Sequence, residues 1–270
     1  MKQTKISVIV PTYKPQVYLW ECLDSIYNQS LSKFDYELVL VLNGCNEPYN
    51  SQINDWLSEH NEMQVQYIQT DMGGVSNARN IALDKAIGEY ITFIDDDDYI
   101  SPSFLQELLN NSSEKCVAIS NTIAFDDVTR KELNKYIIAK TFNKCLKKKS
   151  ISIIDARRFF AGPVRKLIHI NIIGNRRFNV RYKNGEDTLF MFLVSDKIKQ
   201  ISCTSKKAIY YRRIRENSAN MYKRTFLERL KNSFNLIKEY SSILIFSPQK
   251  YNIKLYVSNV LGALKTIIVG

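Results

Sequence analysis

Four adjacent carboxylates, Asp95 to Asp98, form the densest group of acidic side chains in the sequence. The preceding run, Tyr90 to Ile94, is short, apolar and rich in residues that favour β-structure, so it predicts a buried strand that stops at the acids. Like charges this close together cost free energy unless a cation lies near them. Mg²⁺ and Mn²⁺ take carboxylate oxygens as ligands and often share their shell with substrate phosphates. The tetrad therefore predicts a divalent metal site, with an acidic turn that caps the next helix as the alternative.

The run from Gly73 to Asn80 forms a second candidate group. It opens a predicted helix with two glycines and places Arg79 about one turn inside that helix. Exposed backbone N–H groups and the positive end of the helix dipole favour an anion there. Alone the run is neither a dinucleotide fingerprint nor a Walker loop, but an arginine and a metal together suit a diphosphate.

Glu186 and Asp187 stand between a turn at Gly185 and a helix predicted over Thr188 to Ser195. Two interpretations stay open for this acidic pair. The acids can complement the helix dipole, or one of them can act as a general base beside a pocket. With only two histidines in the chain, no Ser-His or Cys-His nucleophile is suggested.

Strands alternate with helices in the first half of the chain, which predicts parallel βαβ units in an open α/β sheet. Each strand ends in a polar, turn-forming cluster, and in such sheets the carboxyl ends of the strands share one rim, where ligands bind. The predicted strands are Ile6 to Val10, Tyr36 to Leu42, Val65 to Ile68 and Tyr90 to Ile94. The clusters that follow them are Pro11-Thr12-Tyr13, Asn43-Gly44, Asp71 to Gly74 and Asp95 to Asp98.

The second half of the chain is less regular. Cys116 to Phe125 predicts one further strand, and Ile209 to Tyr211 predicts a strand that enters a basic loop. From Phe226 to Gly270 two helical patterns are separated near Ser247-Pro248.

Charge and cysteine content limit the classes of function. The formal net charge is +11, and the segment from Arg130 to Lys183 holds sixteen Lys and Arg against two acids. This surplus indicates an anionic partner, namely a membrane surface, a phosphorylated substrate or nucleic acid, or else a solvated basic face. Five widely spaced cysteines predict reduced thiols in a cytoplasmic protein. We expect neither a signal peptide nor a membrane-spanning segment.

The order of these motifs closely resembles glycosyltransferase family 2. The resemblance rests on Ser7 to Tyr13, Gly73 to Leu83, Phe93 to Asp98 and Gly185 to Asp187. It implies the GT-A fold, a Rossmann-like open mixed sheet flanked by helices. The expected organisation is a GT-A domain over 1–220, with a nucleotide-binding half at 1–125 and an acceptor-binding half at 126–220, followed by a helical extension at 221–270.

The resemblance also assigns roles to single residues. It places Asp187 as the general base with Glu186 beside it, and Asp97 and Asp95 at a Mn²⁺ or Mg²⁺ ion. The residues implied in nucleotide-sugar binding are Pro11, Thr12, Tyr13, Arg79, Asp95, Asp96, Arg213, Arg215 and Ser218. Asn43 departs from the family pattern, which has an acid at that place; its amide offers both a donor and an acceptor to a uracil base.

The function implied is an inverting, metal-dependent transfer of a sugar, from a UDP-sugar or another nucleoside diphosphate sugar, to a hydroxyl of a glycan or lipid-linked acceptor. Family members of this kind build bacterial surface polysaccharides such as lipopolysaccharide or capsule, as peripheral proteins at the inner face of the cytoplasmic membrane. The alternatives are a nucleotidyltransferase, or a non-catalytic binding module, including a degenerate transferase. A nucleic-acid partner is not expected, since four clustered acids repel phosphates when no metal is bound.

Overall fold

The computed structural model describes residues 4–133, 136–215 and 225–269. Its strands are β1 (Ile6–Thr12), β2 (Tyr36–Asn43), β3 (Gln64–Thr70), β4 (Tyr90–Phe93), β5 (Tyr99–Ile100), β6 (Cys116–Ile119), β7 (Asn121–Asp126), β8 (Lys166–His169), β9 (Gln200–Cys203) and β10 (Ile209–Ile214). Its α-helices are α1 (Tyr18–Tyr27), α2 (Tyr49–Glu59), α3 (Val75–Lys85), α4 (Phe104–Asn110), α5 (Ile137–Cys145), α6 (Ile170–Ile173), α7 (Glu186–Val194), α8 (Phe226–Phe246) and α9 (Ile253–Val269). Short 3-10 helices lie at Arg157–Ala161 and Ser195–Lys197.

A seven-stranded mixed sheet forms the centre of the molecule, in the order β3-β2-β1-β4-β8-β6-β9. Strands β3, β2, β1 and β4 are parallel, β8 is antiparallel to both of its neighbours, and β9 is parallel to β6. Every residue of β1 and β2 is buried, as expected for parallel strands covered on both faces. The prediction of an α/β fold with a mixed sheet is confirmed.

The strand order reverses at β1, which pairs with β2 on one side and with β4 on the other. The loops after β1 and β4 therefore leave the sheet side by side. A crevice opens at such a reversal, and ligands of open α/β sheets bind in it.

A second sheet, in the order β5-β10-β7, lies beside the end of β4. The expectation of one strand from Cys116 to Phe125 is wrong, because the chain changes sheets at Ser120. The backbone N–H of Ser120 donates to the carbonyl oxygen of Arg165 at 3.0 Å, so β6 ends in the large sheet and β7 begins in the small one. The polar residues Ser120, Asn121 and Thr122 in the middle of the run mark the place of this change in the sequence.

Helices α8 and α9 pack against α7. Helix α8 starts with a capping box, in which the Thr225 side chain accepts from the backbone of Glu228 and the Glu228 side chain accepts from Thr225. A small apolar cluster joins the three helices through Leu189, Phe192, Leu236, Tyr240 and Leu255. The expected boundary at 220/221 lies outside the described residues, and the one at 125/126 falls inside β7. Among the described residues, no helix combines the length and the apolar character needed to cross a bilayer.

Candidate active site

The loops that follow the four parallel strands meet at one rim, where we expected them. After β1, Thr12 Oγ1 donates to Asp96 Oδ2 at 2.6 Å. After β2, Asn43 Nδ2 donates to the Thr12 carbonyl oxygen at 2.7 Å, and Asn43 Oδ1 accepts from the backbone N–H of Gly74 at 2.8 Å. These bonds link the acid tetrad to the glycine-rich start of α3.

Asn43 joins the loops of the rim. The residue is buried, and its amide donates to and accepts from backbone groups of neighbouring loops. Asn43 therefore positions the rim, and its pairing with a uracil base stays a prediction. Tyr13 is 52% exposed at the rim, and Pro11 lines the cleft behind it; a stacking contact between Tyr13 and a base stays a prediction.

Each carboxylate of the tetrad has its own partner. The partners are Arg79 Nη2 for Asp95 at 2.9 Å, Thr12 Oγ1 for Asp96 at 2.6 Å, Arg215 Nη2 for Asp97 at 2.5 Å and the backbone N–H of Arg213 for Asp98 at 2.8 Å. The following helix, α4, has Ser103 as its N-cap residue, without a side-chain capping bond. The structure therefore gives no support to the alternative that the acids serve as a helix cap.

Burial raises the pKa of three of these carboxyl groups. Burial, with the charges of Asp97 and Asp95 adding to it, raises the pKa of Asp96 to about 7. Burial and Asp95 raise the pKa of Asp97, and burial and Asp97 raise the pKa of Asp98 well above its usual range. The tetrad thus carries its full negative charge only at a cost, which a bound cation would offset.

A divalent cation shared with a diphosphate stays a prediction for the tetrad. Over residues 4–133, 136–215 and 225–269, no three Asp, Glu, His or Cys side chains are grouped as a ready-made cage. Mg²⁺ commonly takes one or two protein carboxylates and fills the rest of its shell with phosphate oxygens and water. Asp97 and Asp95 are the two carboxylates that would hold it, and Arg215 and Arg79 contact them here.

Arg79 of α3 joins the tetrad to the start of α7. Its Nη2 donates to Asp95 Oδ1 at 2.9 Å and its Nη1 to Asp187 Oδ1 at 2.5 Å, and the side chain is nearly inaccessible to solvent. The Phe178 ring centroid lies 5.4 Å from the guanidinium carbon. Because both Nη atoms contact carboxylates, Arg79 positions two acids here, and its contact with a nucleotide stays a prediction.

Asp187 lies in the first turn of α7, directly after Gly185 and Glu186. Burial raises the pKa of Asp187 and the charge of Asp95 adds to the rise, whereas Arg79 and Lys166 oppose it. The Asp187 side chain is 29% exposed, toward a cleft that it lines together with the tetrad. A carboxylate with a raised pKa at the wall of a cleft is suited to accept a proton. Glu186 beside it is buried.

Arg213, in β10, and Arg215, in the loop after it, differ in the protein groups that they contact. Arg213 is buried; its guanidinium contacts Glu21, Asp127 Oδ1 at 2.6 Å and the Asp97 carbonyl oxygen at 2.7 Å. These three protein acceptors use donors of Arg213, and its contact with the nucleotide sugar stays a prediction. Arg215 donates to Asp97 Oδ2 from Nε at 3.0 Å and from Nη2 at 2.5 Å, and its side chain is 23% exposed. Ser218 lies outside the described residues.

Sequence analysis did not single out Arg165 and Lys166, which lie under the cleft. Arg165 is buried with φ of 69°, and its Nε and Nη2 have no hydrogen-bond acceptor among the described residues. The Lys166 amine donates to the carbonyl oxygens of Gly162 and Val164, and burial lowers the pKa of Lys166 well below its usual range. Both belong to the basic middle segment, where charge alone does not separate buried residues from exposed ones.

The cleft itself has a volume of about 530 Å³, within the usual range for sites that bind small molecules. The tetrad and Asp187, at the start of α7, both line it.

Three comparisons relate the chain to known proteins. The family model described as Glycosyl transferase family 2 matches residues 7–174. A poly(ribitol-phosphate) beta-glucosyltransferase of Bacillus spizizenii is 29% identical over 77% of this chain and 32% of its own length. A Campylobacter jejuni GalNAc(5)-diNAcBac-PP-undecaprenol beta-1,3-glucosyltransferase is 26% identical over 80% of this chain and 67% of its own length.

Among solved structures, Staphylococcus aureus TarS 1-349 in complex with UDP-GlcNAc superposes with a TM-score of 0.74 at 23% identity. The match covers 97% of this chain and 72% of that one. The chain spans about a third of the length of the poly(ribitol-phosphate) transferases that it matches. The structural likeness shows a shared fold.

Proposed function

The chain belongs to glycosyltransferase family 2, and from this membership we propose that it transfers a sugar from a nucleoside diphosphate sugar to an acceptor hydroxyl, with inversion at the anomeric carbon. The donor proposed is a UDP-sugar, since the TarS structure of the same fold binds UDP-GlcNAc. The acceptor proposed is a glycan or a lipid-linked precursor of a bacterial surface polysaccharide, because relatives act on such molecules.

One observation carries the proposal. Arg79 holds Asp95, at the end of β4, and Asp187, at the start of α7, on two of its nitrogen atoms. A displacement with inversion needs a leaving diphosphate on one side of the sugar and a proton acceptor on the other. We assign the leaving diphosphate to the tetrad and the proton to Asp187, which line the same cleft.

On the donor side, the nucleoside lies at the rim with its base against Tyr13, and the diphosphate points to Asp97 and Arg215. Arg215 is a cation at the edge of the cleft, so it can move from Asp97 to the leaving phosphate. Asp97 and Asp95 would hold a Mn²⁺ or Mg²⁺ ion, which when bound neutralises charge on the departing diphosphate.

On the acceptor side, Asp187 takes the proton from the attacking hydroxyl. The raised pKa of Asp187 makes it a stronger base than an exposed aspartate, while Arg79 keeps enough of it ionised to act. Arg79 also fixes the direction in which the carboxylate points, since it donates to Oδ1 at 2.5 Å. Oδ2 is left for the acceptor.

We also propose that the enzyme works at an anionic membrane surface. Helix α9 exposes a stripe of apolar side chains, and between residues 240 and 270 the sequence has three lysines and no acid. The members of the stripe are Ile253, Val257, Leu261, Leu264 and Ile268. An apolar helix face with basic residues around it fits the interface of an anionic bilayer.

Binding and turnover of UDP-sugars test the proposed activity. We expect UDP to bind by calorimetry in the presence of Mn²⁺, and Asp97→Asn to weaken that binding about tenfold or more. Asp187→Asn should leave UDP binding within about twofold but abolish sugar transfer, because its loss removes only the base.

Asp71→Asn is the matched control, since Asp71 is an exposed acid on the same rim with a neighbouring glutamine as its partner. It should change neither UDP binding nor transfer. The proposal fails if no nucleoside diphosphate binds with or without Mn²⁺, or if Asp97→Asn binds UDP as tightly as the unchanged protein.

A further inference from the structure

A second cavity, of about 440 Å³, opens beside the active-site cleft. It lies between the 3-10 helix at Arg157–Ala161, the start of α7, and the C-terminal helices α8 and α9. Arg158, Ala161 and Thr188 line both this cavity and the cleft. The two spaces are therefore adjacent and share part of their walls.

The second cavity is basic. Arg157, Arg158 and Arg229 line it, and no Asp or Glu of the described residues does. Arg157 Nη1 donates to the Ser258 hydroxyl at 3.0 Å, which fixes this arginine against α9. Most other side chains that line the cavity are neutral and polar or small, and such groups suit a ligand rich in oxygen.

The arginines of the second cavity differ from those under the acid tetrad. Arg79, Arg213 and Arg215 each contact a carboxylate at short distance. Within the described parts of the chain, neither Arg157 nor Arg158 has an acid within ion-pair distance. Their positive charge is thus available to an anion, and guanidinium groups bind phosphate through paired hydrogen bonds.

The position of the second cavity identifies which substrate reaches it. Thr188 follows Asp187 in the first turn of α7, and its Oγ1 donates to the Ala161 carbonyl oxygen at 3.1 Å. A substrate whose hydroxyl meets Asp187 can therefore extend past Thr188 toward Arg158. The tetrad does not line this cavity, so the donor diphosphate lies elsewhere.

We propose that the second cavity binds a phosphoryl group of the acceptor, and that Arg157 and Arg158 are its main contacts. The inference rests on the proposed transferase function and names the substrate class on the acceptor side. The phosphoryl group belongs either to a polyol phosphate or to a prenyl diphosphate, which share this chemistry. The proposal also assigns a function to α8 and α9, because they form one wall of the acceptor site.

Titration calorimetry with small phosphate probes tests the proposal on protein saturated with UDP and Mg²⁺, so that the donor site is filled. We expect glycerol 3-phosphate or geranyl diphosphate to bind, and glycerol not to bind. Whichever of the two binds more tightly identifies the source of the phosphoryl group. Arg157→Gln with Arg158→Gln should weaken that binding about tenfold or more, since each lost contact is charge-assisted.

Arg181→Gln removes the same charge from an exposed arginine outside the cavity, and it should bind the probes normally. UDP affinity, measured first on every variant, should stay within about twofold, which also shows that the double variant is folded. Equal probe binding by the double variant and the unchanged protein would overturn the acceptor site while leaving the transferase function standing. Absence of UDP binding by the unchanged protein would instead reject the function on which the inference depends.

Discussion

Asp95 and Asp187 lie far apart in the sequence, yet both contact the guanidinium of Arg79. The raised pKa of Asp187 is the sum of burial and the charge of Asp95, with Arg79 acting against both. One arginine therefore sets the fraction of Asp187 that is ionised at a given pH. The ionisation of Asp187 can therefore be tested by replacing Arg79, which does not itself accept the proton.

Arg79→Gln should move the acid limb of the transfer rate to higher pH. Transfer needs ionised Asp187, so the rate falls as the pH drops through the pKa of that carboxyl. Removing the arginine raises this pKa, by about one unit or more for a close opposite charge. The measurement is kcat/KM for transfer against pH.

In Arg79→Lys the acid limb of the transfer rate should lie close to its pH in the unchanged protein, because lysine keeps the positive charge. Arg177→Gln breaks an exposed pair with Asp84, at 2.6 Å, and should leave the profile unchanged. A limb at the same pH in Arg79→Gln and the unchanged protein would show that Asp187 is not the base.

Replacing Arg213 or Arg215 by glutamine is expected to have different effects on the free energy of unfolding and on UDP binding. Arg213→Gln removes a buried guanidinium from the Asp97 carbonyl oxygen and from the partly exposed carboxylates of Glu21 and Asp127, so we expect a loss of about 1–3 kcal/mol in the free energy of unfolding. Arg215→Gln removes one partly exposed contact; it should cost less than about 1 kcal/mol but weaken UDP binding several-fold. Denaturant unfolding and UDP calorimetry on both variants decide this, and the assignment is wrong if the two effects are exchanged.

At the scale of elements, the start of α7 depends on a glycine. Gly185 has φ of 85°, and a Cβ built there would lie 2.4 Å from Leu236 Cδ1 of α8. The position therefore disfavours other residues for two reasons, a backbone conformation that L-residues rarely adopt and contact with the Leu236 side chain. The position of Asp187, two residues later, depends on this backbone conformation and on this packing.

Gly185→Ala should lower the free energy of unfolding by about 2 kcal/mol or more, since strain and overpacking add. Gly262→Ala in α9 is the matched control: a Cβ there meets nothing within 4 Å, so stability should hold or rise by up to about 1 kcal/mol. Combining Gly185→Ala with Leu236→Ala separates the causes, because the shorter side chain relieves the contact but not the φ. Equal changes in stability for Gly185→Ala and Gly262→Ala in thermal or denaturant unfolding would contradict this account.

The elements of the first half could be predicted from the sequence because each is short and signalled locally. The strand Tyr36 to Leu42 is apolar and stops at Asn43-Gly44, and β2 ends at Asn43. The change of sheet at Ser120 is marked locally by the polar residues Ser120 to Thr122, but it depends on a bond from the Ser120 N–H to the carbonyl oxygen of Arg165, far along the chain. The same holds at the site: the types of Asn43 and Arg213 suit a ligand, but only the fold shows which protein groups they also contact.

At the scale of the whole molecule, charge and apolar surface coincide at the C-terminal helices. On α9, the cavity-lining residues and the apolar stripe lie on opposite faces of the helix, since Ser258, Gly262 and Thr266 alternate with Val257, Leu261 and Leu264 at helical spacing. The helix thus has one side for the proposed acceptor and another for the proposed membrane.

Leu261→Glu should reduce binding to vesicles rich in anionic phospholipid about tenfold or more, because it places an acid within the apolar stripe. Val128→Glu is the matched control, since Val128 is 86% exposed on another part of the surface. Co-sedimentation with anionic and with neutral vesicles, at low and high salt, gives the comparison. Equal binding by the two variants would remove α9 as the membrane contact, and dimerisation lost in Leu261→Glu would assign the stripe to a second copy of the chain.

Helix α9, with the cavity on one face and the apolar stripe on the other, also limits which acceptor hydroxyls can enter the active site. A helix with its side chains is about 10 Å thick, so one such layer separates lipid from the cavity where we place the acceptor phosphate. A growing glycan would then be selected by its distance from the membrane: its reactive hydroxyl must stand about one helix thickness above the lipid surface, and a longer chain must bend back or go unused. Transfer rates for acceptors anchored through spacers of increasing length should therefore fall once the spacer exceeds this thickness, whereas rates that ignore spacer length would show that α9 does not set this distance.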